Sequence, residues 1–222
     1  MEIGSREWQH FIIDGARQLG IVIDASVTAL FSLHASELLT WNRKINLTAI
    51  TDPREIAIRH FLDSLAPAGC IPDRGRLLDI GSGGGFPGIP LKILKPSVSA
   101  LLIDGGGKKI NFLKHALRTL GLHNIEARQM RAETLLKDPD YAACFDVIIS
   151  RALSDLPTFV KSALPLLAKH GTIIAMKGEV DTEELNALRA EAPGDQYFLE
   201  IEKYGLPSID SLRSLVILKH LN

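Results

Sequence analysis

Cysteine is nearly absent: Cys70 and Cys144 are the two in a chain of 222 residues. They lie far apart, with no C-x-x-C and no metal-ligand spacing, so the expectation is reduced thiols, with neither a disulfide framework nor a metal site. Long hydrophobic runs are missing too. No stretch approaches the roughly 20 apolar residues a membrane-spanning helix needs, and the opening residues, MEIGSREWQH, lack the basic-then-apolar order of a secretory leader. A cytoplasmic chain with no membrane partner is expected. Net charge is also close to nil, −1 at pH 7, which argues against a domain that is basic throughout, as many nucleic-acid binders are.

The near-neutral total hides an uneven distribution. Residues 41–60 set Arg43, Lys44, Arg54 and Arg59 against Asp52 and Glu55, and residues 101–131 set six Lys or Arg against Asp104 and Glu126. Those stretches carry +2 and +4, whereas residues 179–202 hold eight acids against Arg189 alone, −7. A basic surface can coexist with an acidic back, although evenly solvated helix faces would give the same composition.

What is present is enough apolar material, 46% of the residues, for a substantial core in one domain or one and a half. The Pro/Gly-punctuated stretch between Ala66 and Gly75 reads as a connection, dividing the chain into an N-terminal helical lobe, 1–75, and a second domain, 76–222. In the lobe, Val27, Leu30, Phe31, Leu38 and Trp41 recur at helical steps after a cap at Asp24, and Ile58, Phe61, Leu62 and Leu65 do so again. Beyond residue 75, strands at 77–80, 98–103, 125–128, 145–150 and 172–176 alternate with helices from 88, over 108–120, over 156–168 and near 181–190. That alternation predicts a parallel sheet. Strands at 197–203 and 214–219 have only residues 204–213 between them, too few for a helical crossover, so they should form an antiparallel hairpin at the sheet edge. The fold class expected is α/β, a Rossmann-like seven-stranded methyltransferase sheet.

The first of those strands runs into LLDIGSGGGFPGIP (77–90), where Gly83, Gly85 and Gly88 fit G-x-G-x-x-G, the dinucleotide-binding signature. Alone this is a weak match, and a tight strand-to-helix turn would also use such glycines. Asp79, two residues before Gly81, would repel pyrophosphate but attract the amino group and sulfonium of S-adenosylmethionine. Asp104, ending the second strand, can accept hydrogen bonds from ribose hydroxyls. Two further segments follow strands, on the edge where open α/β sheets bind ligands. Arg131-Ala132-Glu133 suits an adenine edge or an ordinary helix start, and Arg151, directly after FDVIIS, suits a cofactor or substrate better than bulk solvent.

Taken together, WNRKINLT (41–48), RHFLDSL (59–65), DIGSGGGFPGIPLKI (79–93), KKINFLKH (108–115), FDVIISRAL (145–153), MKG (176–178) and Arg213 before LVILK resemble the bacterial 16S ribosomal RNA guanine-N7 methyltransferase G family over nearly the whole chain. The resemblance implies S-adenosylmethionine as cofactor, 16S ribosomal RNA or the small ribosomal subunit as partner, and methylation of N7 of one guanine. Family cofactor positions map onto Gly81, Phe86, Ala132, Glu133 and Arg151, and the residue reading adds Asp79, Gly83, Gly85 and Asp104; Asn46 and Arg151 are the catalytic, target-side candidates; Arg59, His60, Lys177 and Arg213 are expected to contact RNA. Gly105-Gly106-Gly107 departs from the bulkier or polar residues expected there. A small-molecule methyltransferase would share the cofactor residues without needing the basic stretches, and a non-catalytic dinucleotide-binding or scaffold protein would bind NAD, or nothing, instead. With no apolar stripe left after the core helices are assigned, a monomer is expected.

Overall fold

The computed structural model describes residues 1–151, 155–191, 194 and 196–221. Ala152 and Leu153 of FDVIISRAL and Asp195 of the acidic stretch lie outside the described residues. The chain opens with α1 (Arg6–Gln18) and α2 (Ala25–Asn42), each capped by a side chain, Ser5 accepting from the Trp8 amide and Asp24 from the amides of Ser26 and Val27, which satisfies amides that have no partner inside a helix. After a loop come α3 (Pro53–Ile56), a π-helical stretch (Ala57–Leu62), α4 (Asp63–Leu65) and a 3₁₀ segment (Ala66–Cys70). The apolar spacing over 58–65 is thus helical as expected, with a wider turn in its middle, and the connection expected at 66–75 begins as a 3₁₀ turn.

From there the order is β1 (Gly75–Ile80), α5 (Gly88–Leu94), β2 (Val98–Asp104), α6 (Gly107–Thr119), β3 (Ile125–Gln129), α7 (Ala132–Leu135), β4 (Phe145–Arg151), α8 (Leu156–Ala163), β5 (Leu167–Lys177), α9 (Thr182–Glu191), β6 (Tyr197–Gly205) and β7 (Leu212–His220). One sheet takes them in the order β3-β2-β1-β4-β5-β7-β6, with β7 antiparallel to both its neighbours and the first five strands parallel. The expected terminal hairpin is present. The helix expected over 156–168 stops at Ala163, because Leu164-Pro165-Leu166 turns as 3₁₀ and proline cannot continue an α-helix. β5 starts five residues earlier than read, with an irregular register between Phe145 and Val147 of its neighbour.

Strand side chains alternate between two faces. Leu78, Leu101, Ile103, Ile148, Ile173 and Val216 pack with α8 and α9. On the opposite face Leu102 and Ala127 meet α5, α6 and the helical N-terminus in one continuous apolar cluster. Phe61 sits at its centre, stacked on Phe31 at 4.7 Å and edge-on to Trp8 and Phe86; burying one such ring contributes roughly 1.5–3 kcal/mol. The helical N-terminus is thereby fixed against the glycine loop, and the segment carrying Arg59, His60 and Asp63 is brought to the carboxyl edge of the sheet.

Candidate functional site

The loop from β1 to α5 turns at Gly81, Gly83 and Gly85, with φ of +77°, +55° and +90°. At Gly85 a side chain is excluded twice, by that left-handed backbone and because a Cβ would collide with Ile89. Gly88 is required by close approach, since a Cβ would strike Leu102 and come within 2.6 Å of Asp79 Oδ2. Gly81, in contrast, has open space above it. That space belongs to a cavity of about 290 Å³ at the ends of β1, β2 and β3, lined by Gly81, Asp104, Gly105, Ala132, Glu133 and, from α8, Thr158 among others.

Asp104 is nearly buried at its rim. Its Oδ2 accepts the Gly83 N–H at 3.1 Å and its Oδ1 the Gly106 N–H at 2.8 Å, so it ties the glycine loop to the end of β2. Each oxygen keeps a further lone pair for a diol. The open surface over Gly81 and an acceptor-only carboxylate at the rim fit the ribose end of S-adenosylmethionine. The triple glycine leaves room beside Gly105 that the Arg131 side chain partly takes, 3.7 Å from where a Cβ would stand.

Four expected cofactor residues are placed differently: Arg151 lines the second cavity, described below, and not this one. Asp79 is wholly buried beneath the loop, its Oδ2 accepting the Gly88 N–H at 3.0 Å and its Oδ1 without a partner among the described residues. Burial pushes its pKa up to about 7, so it braces the loop and presents no exposed charge. Phe86, 3% exposed, is stacked between His34 at 4.7 Å and His60 at 4.5 Å and offers no ring face to the cavity. Gly85 is buried too and serves packing.

At the ends of β4 and β5, against β6 and β7, lies a second cavity of about 370 Å³, lined by Arg59, His60, Asp63, Arg151, Lys177 and Arg213 with Ile50, Met176, Gly178 and Tyr204. Five residues predicted for catalysis or RNA contact thus meet here. Arg151 joins the two halves: its Nη1 donates to the Arg59 carbonyl at 2.8 Å, lies 3.4 Å from Asp63 Oδ2, and its guanidinium stands 5.2 Å from the Phe86 ring centroid. Burial lowers the Arg151 pKa, opposed by Asp63 and Asp79. Asp63 collects three groups, with the Tyr204 hydroxyl donating to Oδ1 at 2.8 Å and Arg213 Nε 3.9 Å from the same oxygen. Burial and then Asp63 hold the Tyr204 phenol well above its ordinary pKa. Lys177 is paired with Glu184 of α9, and Arg59 with Glu55.

His60 and Asn46 depart from expectation. His60 is 6% exposed, its Nε2 lies 2.9 Å from Thr48 Oγ1, and burial followed by Arg151 and His34 holds its pKa down to about 3; it is a neutral packing group, and phosphate would find no cation there. Asn46 is exposed and lines neither cavity. Its neighbour Asn42 orders the loop, accepting the amides of Leu47 and Thr48 and donating to the Thr48 carbonyl. Asp63, Tyr204 and His34 went unassigned in the sequence. Asp63 had one signal, an acid inside the apolar helical run RHFLDSL; Tyr204 had none.

Residues 28–207 match the model of a family described as rRNA small subunit methyltransferase G. The chain belongs to this family. It is 46% identical over 205 residues to the Ribosomal RNA small subunit methyltransferase G of Geobacter sp. (strain M21), covering 92% of this chain and 94% of that one. Among solved structures it resembles a predicted O-methyltransferase from Agrobacterium tumefaciens (TM-score 0.58, 18% identity, 72% of this chain and 81% of the other). It also resembles M. jannaschii TYW2 in complex with AdoMet (TM-score 0.56, 15% identity, 71% and 73%). These structural likenesses concern the fold. Among the described residues no helix is long and apolar enough to cross a membrane, and no cluster of His, Cys, Asp or Glu has a metal-binding arrangement.

Proposed function

We propose that this chain transfers a methyl group from S-adenosylmethionine to N7 of a guanine in 16S ribosomal RNA, acting in the cytoplasm as a monomer. The observation that carries the reading is the adjacency of two cavities on one sheet edge, at the β1/β4 switch of strand order where open α/β sheets bind ligands. One is floored by the glycine loop and rimmed by Asp104; the other is lined by Arg59, Arg151, Lys177 and Arg213 around Asp63. A dinucleotide reading is disfavoured because the Gly88 N–H at the start of α5, an amide that would meet pyrophosphate, is already taken by Asp79 Oδ2, and among the described residues Arg131 is the one basic side chain lining the cavity.

Bound S-adenosylmethionine supplies a methyl group on a sulfonium, and its transfer forms the C–N7 bond as the C–S bond breaks, leaving a neutral thioether and a cationic purine. Guanine N7 carries a free lone pair and no proton at neutral pH, so the residues need only bind, align and exclude water. Asp104 holds the loop and meets the ribose. Arg151, anchored by the Arg59 carbonyl, Asp63 and Phe86, orients the target between the cavities. Asp63 sets a negative charge on the side where the purine becomes positive. Lys177 and Arg213 meet phosphate, Lys177 by exchanging its Glu184 partner.

The test is incubation with methyl-labelled S-adenosylmethionine and 16S RNA or small subunits from cells lacking the enzyme, followed by digestion to nucleosides. Label in N7-methylguanosine is expected. Label confined to small molecules, or calorimetric binding of NAD in place of S-adenosylmethionine, would overturn the proposal.

A further inference from the structure

Trp41, from one basic stretch, and Lys114 and Arg118, from the other, meet at a groove outside both cavities. It occupies about 660 Å³ between the C-terminal end of α2, the flank of α6 and β3, and its lining includes Trp41, Asn111, Lys114, His115 and Arg118. Trp41 is half-buried, its ring edge-on to Phe112 at 5.8 Å and tilted against His115 at 5.1 Å, so the core fixes one side of the indole while another meets solvent. His115 is paired with Glu37 at 2.7 Å, and Glu126, the one acid in the lining, is chelated by Arg128. Lys114 and Arg118 form no ion pair among the described residues. Arg43 and Lys44, exposed just past Trp41, lead into the loop whose Ile50 lines the Arg151 cavity.

We propose that this groove is a second docking surface for the RNA substrate, which passes from the Arg151 cavity over Arg43 and Lys44 and lies against Trp41, Lys114 and Arg118. The inference rests on the reading that the substrate is ribosomal RNA. A fixed aromatic ring bordered by cations is the arrangement that holds unpaired nucleotides, bases stacking on the ring and phosphates meeting the charges. Arg128 offsets Glu126, and Lys114 and Arg118 outnumber the other acid nearby, Glu37, so the groove is net positive. Two cations outside any ion pair among the described residues predict two phosphate contacts, and each contributes about 0.7 to 0.9 to the slope of log K against log salt.

The experiment measures binding of naked 16S RNA by the full chain over a salt series, for wild type and the Lys114→Ala/Arg118→Ala double variant. The variant's slope should be smaller by about 1.4 to 1.8, with weaker binding at low salt, unchanged calorimetric affinity for S-adenosylmethionine and unchanged methylation at saturating RNA. RNA should quench tryptophan emission in the wild type and lose that quenching in Trp41→Phe. Equal slopes and affinities for the two proteins would overturn the proposal. So would weakened binding to assembled subunits alone with naked RNA unaffected, which would assign the groove to a ribosomal protein. Because RNA binding is read separately from methyl transfer, the predicted loss of slope in the double variant, alongside a wild type that transfers no label, refutes the proposed reaction and leaves the groove standing.

Discussion

Asp79 separates two accounts of the glycine loop. If its charge attracts the cofactor, neutralising it should cost affinity; if it braces the loop from below, the carboxyl matters as an acceptor for the Gly88 N–H. Asp79→Asn keeps a carbonyl oxygen for that bond. Burial holds the Asp79 pKa at about 7, against an ordinary 3.8. A carboxyl whose pKa is raised on folding binds its proton more readily in the native state, so its contribution is fully present below about 3.8 and is lost as pH rises through about 7. About three pH units at 1.36 kcal/mol each give an upper limit near 4 kcal/mol. Urea unfolding of both proteins from pH 5 to 8 should therefore show the variant gaining on wild type as pH rises, with the slope difference concentrated below pH 7. Other titrating groups cancel in the comparison. Calorimetry at pH 8 should find S-adenosylmethionine affinity within about threefold of wild type. A tenfold or greater loss of affinity with parallel stability curves would refute the brace and restore the direct-charge role.

Asp104→Ala should weaken S-adenosylmethionine by roughly 1.5–3 kcal/mol through lost charge-assisted bonds, and should also lower the melting temperature because the Gly83 and Gly106 amides lose their acceptor; lost stability at unchanged affinity would limit Asp104 to the loop. Arg213→Ala should leave cofactor affinity unchanged and cut the RNA salt slope by about one, whereas Arg151→Ala should lower turnover even at saturating RNA and destabilise by roughly 2–4 kcal/mol, since Asp63 loses a buried partner. Identical turnover and slope in both variants would show that neither arginine has its assigned role. Burial holds His34 at about 4 while its Nε2–H donates to the Gly84 carbonyl. A base with a depressed native pKa resists protonation on folding, so its contribution, about 3 kcal/mol, is lost as pH falls from about 6.5 toward 4; urea unfolding should show His34→Gln with a flatter acid limb.

Periodicity carried the sheet because strands buried on both faces are short apolar runs, and the hairpin followed from the ten residues between its strands. Where the strand reading failed, the cause is local. Lys169-His170-Gly171 looks like a turn, and His170 does adopt φ +67°, yet β5 absorbs it as an irregularity in its ladder. Glycine spacing located the loop but could not say which glycines face a ligand: Gly81 stands in open space while Gly85 and Gly88 are demanded by Ile89, Leu102 and Asp79. Spacing along a chain is blind to the side of the loop on which a residue falls.

The same blindness explains Asp63. Its partners Arg151, Tyr204 and Arg213 lie 88, 141 and 150 residues away in sequence, and nothing in the local pattern of any of them demands the others. They meet because the π-helical stretch is anchored through Phe61 in the N-terminal core while β4, β6 and β7 are fixed by sheet register. Four cations converging on one cavity would repel one another, and a single buried carboxylate between two guanidiniums lowers that repulsion while leaving the lining net positive. The cavity therefore keeps a net positive lining without an uncompensated arginine at its base, and Arg151 and Arg213 are both held by the one carboxylate of Asp63.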